Sequence, residues 1–448
     1  MARPTPRSGF PEFTPAERIV EQHVLDTLRS TFESWGFASI ETRAAEPTAD
    51  LLRKGEIDKE VYLLRRLHAD PDEEGGRELG LHFDLTVPFA RYVLERSGGL
   101  AFPFRRYQIQ KVWRGERPQE GRYREFCQAD IDVVGEGELA FHHDVEVAQV
   151  MVEALSRLPL PPLTLQLNNR RLIEGYYRGV GAEDVPAVMR AIDKIDKLPR
   201  TAVADLLTGT AGLSAAQSEA CLRLTDISGT DAGFADEVAA LGVSNPMLDQ
   251  GLAELVAVVE GTAPLAGPRV AVRADLRIAR GLDYYTGTVY ETRMAGLESL
   301  GSVCSGGRYE SLASDGKVTY PGVGISFGVT RTLAPLLSRG LLTASRSVPS
   351  CVLVAVADES RRSESNAVAA VLRGRGIPVE VAPSAARFGK QIRHADRRGI
   401  PFVWFVQDGE DGIHHEVKDI RSGEQVGADP DLWQPSAADL RPQVSAAP

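Results

Sequence analysis

The chain has 448 residues, 43% hydrophobic and 25% charged, with a formal net charge of −11. That length is too great for one ordinary core and predicts two or three domains of a globular protein. The acidic balance argues against a protein that grips nucleic acid through its overall charge, and leaves that role to a local basic surface. Four widely spaced cysteines (Cys127, Cys221, Cys304, Cys351) give neither a disulfide framework nor a Cys/His zinc spacing, which fits a reducing cytosol. No segment approaches the ~20 apolar residues of a membrane span, and the first residues lack the apolar core of a secretion signal. Residues 1–13 are Pro-rich and irregular until packed. Thr14-Pro15-Ala16-Glu17 has the hydroxyl cap and first-turn proline of a helix, and Ile19, Val20, Val24, Leu28 and Phe32 keep a helical period to Trp35. Gly36 ends that helix, and 37–42 reads as a strand.

Residues 70–76 form an acidic, Gly-containing turn. Residues 81–87 read as a short strand, with Leu81, Phe83, Leu85 and Val87 on one face and His82, Asp84 and Thr86 on the other. Residues 107–113 alternate as a second strand. A polar connection of about nine residues follows, longer than a usual hairpin loop and carrying Arg114, Arg117 and Arg122. Beyond it Gln128, Asp130 and Asp132 fall on one strand face, opposite Cys127, Ala129, Ile131 and Val133. An Arg-rich loop feeding a polar strand face suits a phosphorylated substrate. His142 and His143 are adjacent on a helix and are not expected to share a metal. Residues 163–167 read as a strand, and about 171–262 as a helical insertion. Strands return at 270–276, and Tyr284 and Tyr285 are expected on a strand with one ring on each face. Residues 304–309 have the composition of a turn. Further on, Val323, Ile325 and Phe327 face a core while Gly322, Gly324, Ser326 and Gly328 leave the other face nearly bare, open to a flat ligand or another backbone. Arg331 falls in the first turn of the next helix.

Residues 340–349 read as a linker. Alternating strands and helices then predict a small α/β domain with a largely parallel sheet. Strands are expected at 352–357, 376–381 and 401–406. A helix at 385–398 places Arg387, Lys390, Arg393, His394 and Arg397 in a basic stripe. The chain beyond about 434 is expected to be disordered.

Five stretches carry a resemblance. Residues 114–132 are similar to motif 2 of class II aminoacyl-tRNA synthetases, in the form found in histidyl-tRNA synthetases. Asp84-Leu-Thr-Val-Pro88 matches that family's Asp-Leu-Thr-Val-Pro, and Arg280-Gly-Leu-Asp-Tyr-Tyr285 is nearly its signature. The helix–strand pair before Thr42 resembles motif 1, with Arg43 where the family usually has proline. Residues 321–331 resemble motif 3, with Thr330 in place of the usual acid. The resemblance spans about 9–427 with its motifs in family order. It implies a class II catalytic domain, α+β with an antiparallel sheet flanked by helices, at 1–170 and 263–340. A helical insertion would occupy 171–262, an α/β anticodon-binding domain 346–430, and a tail 431–448.

The resemblance further implies a cytoplasmic homodimer that activates L-histidine with ATP and Mg²⁺ to histidyl-adenylate and passes it to the 3′ end of tRNA-His, with no resident metal site and no membrane association. By motif position, Arg114 and Arg280 would hold the reacting carboxylate and α-phosphate, Arg122 the terminal phosphates and Arg331 the adenine end. Asp84, Thr86 and Gln128 would bind the amino group, and Asp132, Tyr284 and Tyr285 the imidazole side. Arginine's fixed fork suits oxyanions, and a phenol can donate to or accept from a ring nitrogen. Arg117 and Gln119 would read the extra 5′ guanosine of the tRNA, and Lys390, Arg393 and Arg397 would face tRNA from the C-terminal domain. Two other readings stay open at this point. One is a histidine-binding regulatory paralogue of ATP phosphoribosyltransferase, against which stand the C-terminal domain and Arg114, Arg122 and Arg331. The other is a histidyl-adenylate-forming paralogue with a non-tRNA acceptor, against which stands the basic stripe.

Overall fold

The first helix, Pro15–Ser34, starts where its cap residues predict. Thr14 N–H donates to Glu17 Oε2 at 2.7 Å and Glu17 N–H reaches back to Thr14 Oγ at 3.5 Å, a reciprocal capping box. The computed structural model describes residues 5–52, 60–68, 78–279, 284–314, 316–409 and 412–446, so the expected turn at 70–76 and Arg280 lie outside the described residues. Two units are present: Met1–Pro11 with Leu25–Pro335, and Glu12–Val24 with Leu336–Pro448. No helix among the described residues is long and apolar enough to cross a membrane.

The first unit is built on a nine-stranded sheet. Its strands are β1 (Ala38–Ser39), β5 (Phe104–Trp113), β6 (Glu125–Val134), β7 (Leu163–Asn169), β8 (Ser228–Gly229), β9 (Val270–Asp275), β10 (Thr288–Met294), β11 (Cys304–Ser314) and β12 (Thr319–Gly328). They lie in the order β1-β5-β6-β12-β11-β10-β7-β9-β8. The pairs β1/β5 and β7/β9 are parallel and the others antiparallel. A small second sheet joins β2 (Ala45–Pro47), β4 (Leu79–Leu81) and β3 (Leu63–Leu64). Ala129, Ile131 and Val133 of β6 and Val323, Ile325 and Phe327 of β12 are buried. Helix His142–Ser156 packs on these strands, with Val147, Met151 and Leu155 buried. Residues 170–262 are mainly helical, and Pro246–Thr262 crosses Arg170–Gly179 closely. Gly251 permits that approach, because a Cβ there would sit 2.8 Å from Leu172 Cα.

In the second unit, β14 (Val352–Val354), β15 (Val379–Val381), β16 (Phe402–Gly409), β17 (Gly412–Asp419) and β18 (Gln425–Gly427) form a sheet in the order β15-β14-β16-β17-β18. The first three strands are parallel, as expected, and β17 and β18 extend the sheet antiparallel. Apolar layers cover both faces, Trp404 and Leu372 on one and Phe405 and Ala395 on the other.

Several local expectations fail for identifiable reasons. Residues 81–87 are not one strand. β4 stops at Leu81 and a helix runs Thr86–Arg96. The Asp84 carboxylate accepts from Val87 N–H at 3.0 Å, and Pro88 sits in the first turn, where its missing N–H costs little, so end chemistry overrides alternation. Residues 304–309 belong to β11 rather than a turn, and their glycines serve packing, since a Cβ on Gly306 would lie 2.6 Å from Ile325 Cα. Tyr284 and Tyr285 precede β10 instead of lying on a strand, and their rings meet edge to face at 5.2 Å. The strand expected at 37–42 is only the two residues of β1. The His142 and His143 rings approach to 4.0 Å in the first turn of their helix, with His143 Nδ1 2.8 Å from Glu146. The described residues beyond 434 are not disordered: a short helix Ala437–Leu440 leads to β19 (Val444–Ala446), which pairs antiparallel with β13 (Leu342–Ala344) inside the expected linker.

Candidate active site

Strand register assembles a polar row on one face of the large sheet. Arg106 of β5 lies opposite Asp132 of β6, which lies opposite Gly324 of β12, which faces Gly307 of β11. One step along, Gln108, Asp130, Ser326 and Ser305 align in the same way, and then Gln110, Gln128 and Gly328. The shared face expected for Gln128, Asp130 and Asp132 is therefore present. Asp132 is held on both oxygens: Arg106 pairs with Oδ2 at 2.6 Å and the Tyr309 hydroxyl donates to Oδ1 at 2.9 Å. Arg106 is fully buried, with its guanidinium 4.2 Å from the Phe89 ring centroid. The sequence reading missed Arg106. Its one visible signal is the alternation Arg106, Gln108, Gln110, which on a lone strand looks like a solvated face.

The glycines do more specific work than keeping a face bare. A Cβ on Gly324 would overlap the Asp132 carboxylate, one on Gly322 would overlap the Tyr309 ring, and one on Gly307 would sit 2.6 Å from the Tyr285 ring. These three positions admit protein side chains, and only Ser326 and Gly328 of that strand line the open cavity. Tyr309 stacks on Tyr284 with centroids 5.7 Å apart, and burial pushes the Tyr284 and Tyr285 phenols well up, so both remain neutral donors.

Beside this row lies a cavity of ≈ 210 Å³ lined by Arg114, Arg122, Gln128 and Arg331 with Glu116, Phe126 and Ser326 among others. It unites Arg114, Arg122 and Gln128 of the motif 2 stretch with Arg331 of the motif 3 stretch. Arg114 donates through Nε to Phe83 O at 3.0 Å, which ties it to the segment carrying Asp84, and its guanidinium lies 5.1 Å from the Phe126 centroid. The 114–124 connection is a nested turn: Gln119 and Arg122 exchange backbone hydrogen bonds at 3.1 and 2.9 Å around Gly121, whose φ is +74°. That turn projects half-exposed Arg122 over the cavity, with Glu116 3.4 Å from its guanidinium. Arg331 donates to Leu300 O. Thr330 fixes the start of its helix, because its buried hydroxyl accepts from Cys127 N–H at 2.8 Å. A hydroxyl thus ties motif 3 to β6. Arg43 also has a local task, pairing at 3.1 Å with buried Glu46, which Arg91 holds from its other side at 2.7 Å.

Gln128 donates to Ser326 Oγ at 2.7 Å. Burial raises the Asp130 carboxyl to about 7 against the pull of Arg106. Asp84 lies within electrostatic reach of Asp130 and Tyr285, and Thr86 opens the helix two residues later. Arg117 and Gln119 are exposed on the nested turn. In the second unit, Arg387, Lys390, Arg393 and Arg397 are exposed on or beside helix Phe388–Asp396, opposite buried Gln391 and Ala395. Gln391 clips that helix to the end of β14, accepting from Val356 N–H at 3.0 Å and donating to Val356 O at 2.8 Å.

Residues 9–332 match the family described as Histidyl-tRNA synthetase, and residues 350–431 the Anticodon binding domain. The chain is 60% identical to a Histidine–tRNA ligase of Cutibacterium acnes over 99% of both chains. It is 58% identical to that of Micrococcus luteus over 100% of both. The crystal structure of histidyl-tRNA synthetase from Nostoc sp. PCC 7120 superposes with a TM-score of 0.84 at 34% identity, covering 96% of this chain and 98% of that one.

Proposed function

The chain belongs to the histidyl-tRNA synthetase family and joins histidine to tRNA in an ATP-dependent reaction, and we propose how its own residues divide that work. The observation that carries the proposal is the single cavity shared by Arg114, Arg122, Gln128 and Arg331 beside the Asp132 row. In the first step a histidine carboxylate oxygen bonds to the α-phosphorus of ATP as the bond to pyrophosphate breaks. No side chain need take a proton, so positioning and charge stabilisation supply the catalysis. Arg114, with Arg280, holds the carboxylate and α-phosphate, Arg122 the departing phosphates and Arg331 the adenine end. Asp84, Thr86 and Gln128 receive the α-amino group, and Asp132, braced by Arg106 and Tyr309, accepts from the ring with Tyr284 and Tyr285 beside it. A braced acceptor cannot turn to suit other side chains, so it favours one that presents a matching donor.

The Mg²⁺ that accompanies ATP needs only one or two protein carboxylates besides phosphate oxygens, and Glu116, lining the cavity, is a group of that kind. In the second step the histidyl group passes to tRNA-His. Arg117 and Gln119 would meet the acceptor end, and Lys390, Arg393 and Arg397 the anticodon region. We place the reaction in a cytoplasmic homodimer, following the family's motif 1 pairing. The test is pyrophosphate exchange with histidine and ATP, alongside charging of tRNA-His with and without its 5′ guanosine. Exchange is expected to fall in R122A mainly through a raised KM for ATP, and charging in R117A to lose its guanosine preference. An R122A enzyme with unchanged KM for ATP would remove the phosphate assignment.

A further inference from the structure

Asp130 is used by none of these roles, yet it is only 3% exposed and lies between Gln108 of β5 and Ser326 of β12. Its Oδ1 has no hydrogen-bond partner among the described residues, and neither has Oε1 of Gln128, two residues earlier on the same face. Leaving buried acceptors unsatisfied is costly, so two of them on one strand face call for donors from a ligand. Among the described residues, the charged and titratable groups around Asp130 are Arg106 from β5, Asp132 on its own strand, Asp84 before helix Thr86–Arg96, Tyr285 before β10 and Cys304 from β11. Among these only Arg106 is a cation, and it is already paired with Asp132 at 2.6 Å. Among the described residues the place is therefore rich in acceptors and short of positive charge. Histidine brings one group that meets both needs, an α-ammonium with three N–H donors, whereas its neutral ring offers one.

We propose that Asp130 is a specificity-determining residue of the histidine pocket, receiving the α-ammonium group together with Gln128 and leaving Asp132 to the ring. The inference rests on the histidine reading above and adds to it a contact that the motif comparison does not supply. It also carries a proton balance. With its carboxyl held near 7, Asp130 is partly protonated in the empty protein at neutral pH. The incoming cation favours the carboxylate, so the proton leaves to solvent as the ammonium docks.

The full-length protein and D130N are compared by calorimetry with three ligands. These are L-histidine, histidinol, which keeps ammonium and ring, and 3-(imidazol-4-yl)propionate, which lacks the ammonium. D130N is expected to bind histidine and histidinol about 10–100-fold more weakly, as for a lost charge-assisted hydrogen bond, and the propionate as the parent does. At pH near 7, in two buffers of different ionisation enthalpy, the parent should release part of a proton on binding histidine that D130N does not. An equal loss for all three ligands, or no loss, overturns the proposal. The parent's own proton release needs no variant, so its absence overturns the proposal even if D130N does not fold. A parent that binds the propionate but not histidine overturns it as well, while a parent that binds no histidine-like ligand overturns the histidine reading beneath it.

Discussion

At the scale of single residues, Asp130 should weaken the empty protein while serving its ligand. Its carboxyl, raised by burial to about 7, stands above the ~3.9 of an unfolded aspartate. The sign follows: this group's contribution to stability is fully present below about pH 4, shrinks as pH rises from there, and is lost by the time pH passes the folded value. D130N has no such titration. From pH about 5 to about 8.5 its Tm is expected to decline less than the parent's, by about 2–4 °C for each kcal/mol of difference. Parallel curves in thermal melts without ligand would show that Asp130 ionises there without strain. The same row shows what a sequence can and cannot disclose. Alternation placed Gln128, Asp130 and Asp132 on one face of their strand and Gly322, Gly324 and Gly328 on one face of theirs, and the register sets the two groups on the same side of the sheet. What fills the bareness was not legible. Asp132 and Tyr309 occupy the space over Gly324 and Gly322, and that depends on which strands are neighbours. Arg106 was missed for the same reason, because only the β5–β6 register sets it against Asp132.

At the scale of elements, the errors cluster where ends and edges are decided by chemistry other than periodicity. Asp84 and Pro88 turn a seemingly alternating segment into a helix start. The polar, Pro-containing C-terminal stretch looked disordered by composition, yet it is tied down by long-range partners. β19 pairs with β13, and Arg346, only 5% exposed, donates through Nη1 to Asp439 O at 2.8 Å and through Nη2 to Leu440 O at 3.2 Å. The Arg421 guanidinium reaches the Asp439 carboxylate at 3.0 Å. Removing residues 436–448 would strip a buried cation of two carbonyl partners and leave β13 unpaired, a loss of about 2–4 kcal/mol if each hydrogen bond to charge is worth about 1.5–3 and part is regained from water. Calorimetric scans of the truncated and full chains should therefore show the transition that involves the second unit moved down, with pyrophosphate exchange retained below it. An unmoved transition would mean that the tail adds nothing to the unit it covers.

At the scale of the molecule, a chain of net charge −11 must approach a polyanion without being repelled as a whole. Screening at physiological salt limits repulsion to roughly 8 Å, so local charge decides. In the second unit, Lys390 and Arg393 are exposed on helix Phe388–Asp396 and Arg397 just past its end, while Gln391 and Ala395 point into the core. Gln391 fixes the helix by bonding both backbone groups of Val356, so the basic residues stand on a rigid element, and amino-acid activation uses residues of the other unit. The two tasks should separate in one variant. K390A/R393A/R397A is expected to keep histidine-dependent pyrophosphate exchange and to raise the KM for tRNA. If each residue neutralises one phosphate, the slope of log affinity against log salt becomes shallower by about 2–3. Filter binding across a salt series reads this directly. A weaker complex with an unchanged slope would mean that the helix was distorted and no ion contact was lost, and an unchanged affinity would leave the basic face merely solvated.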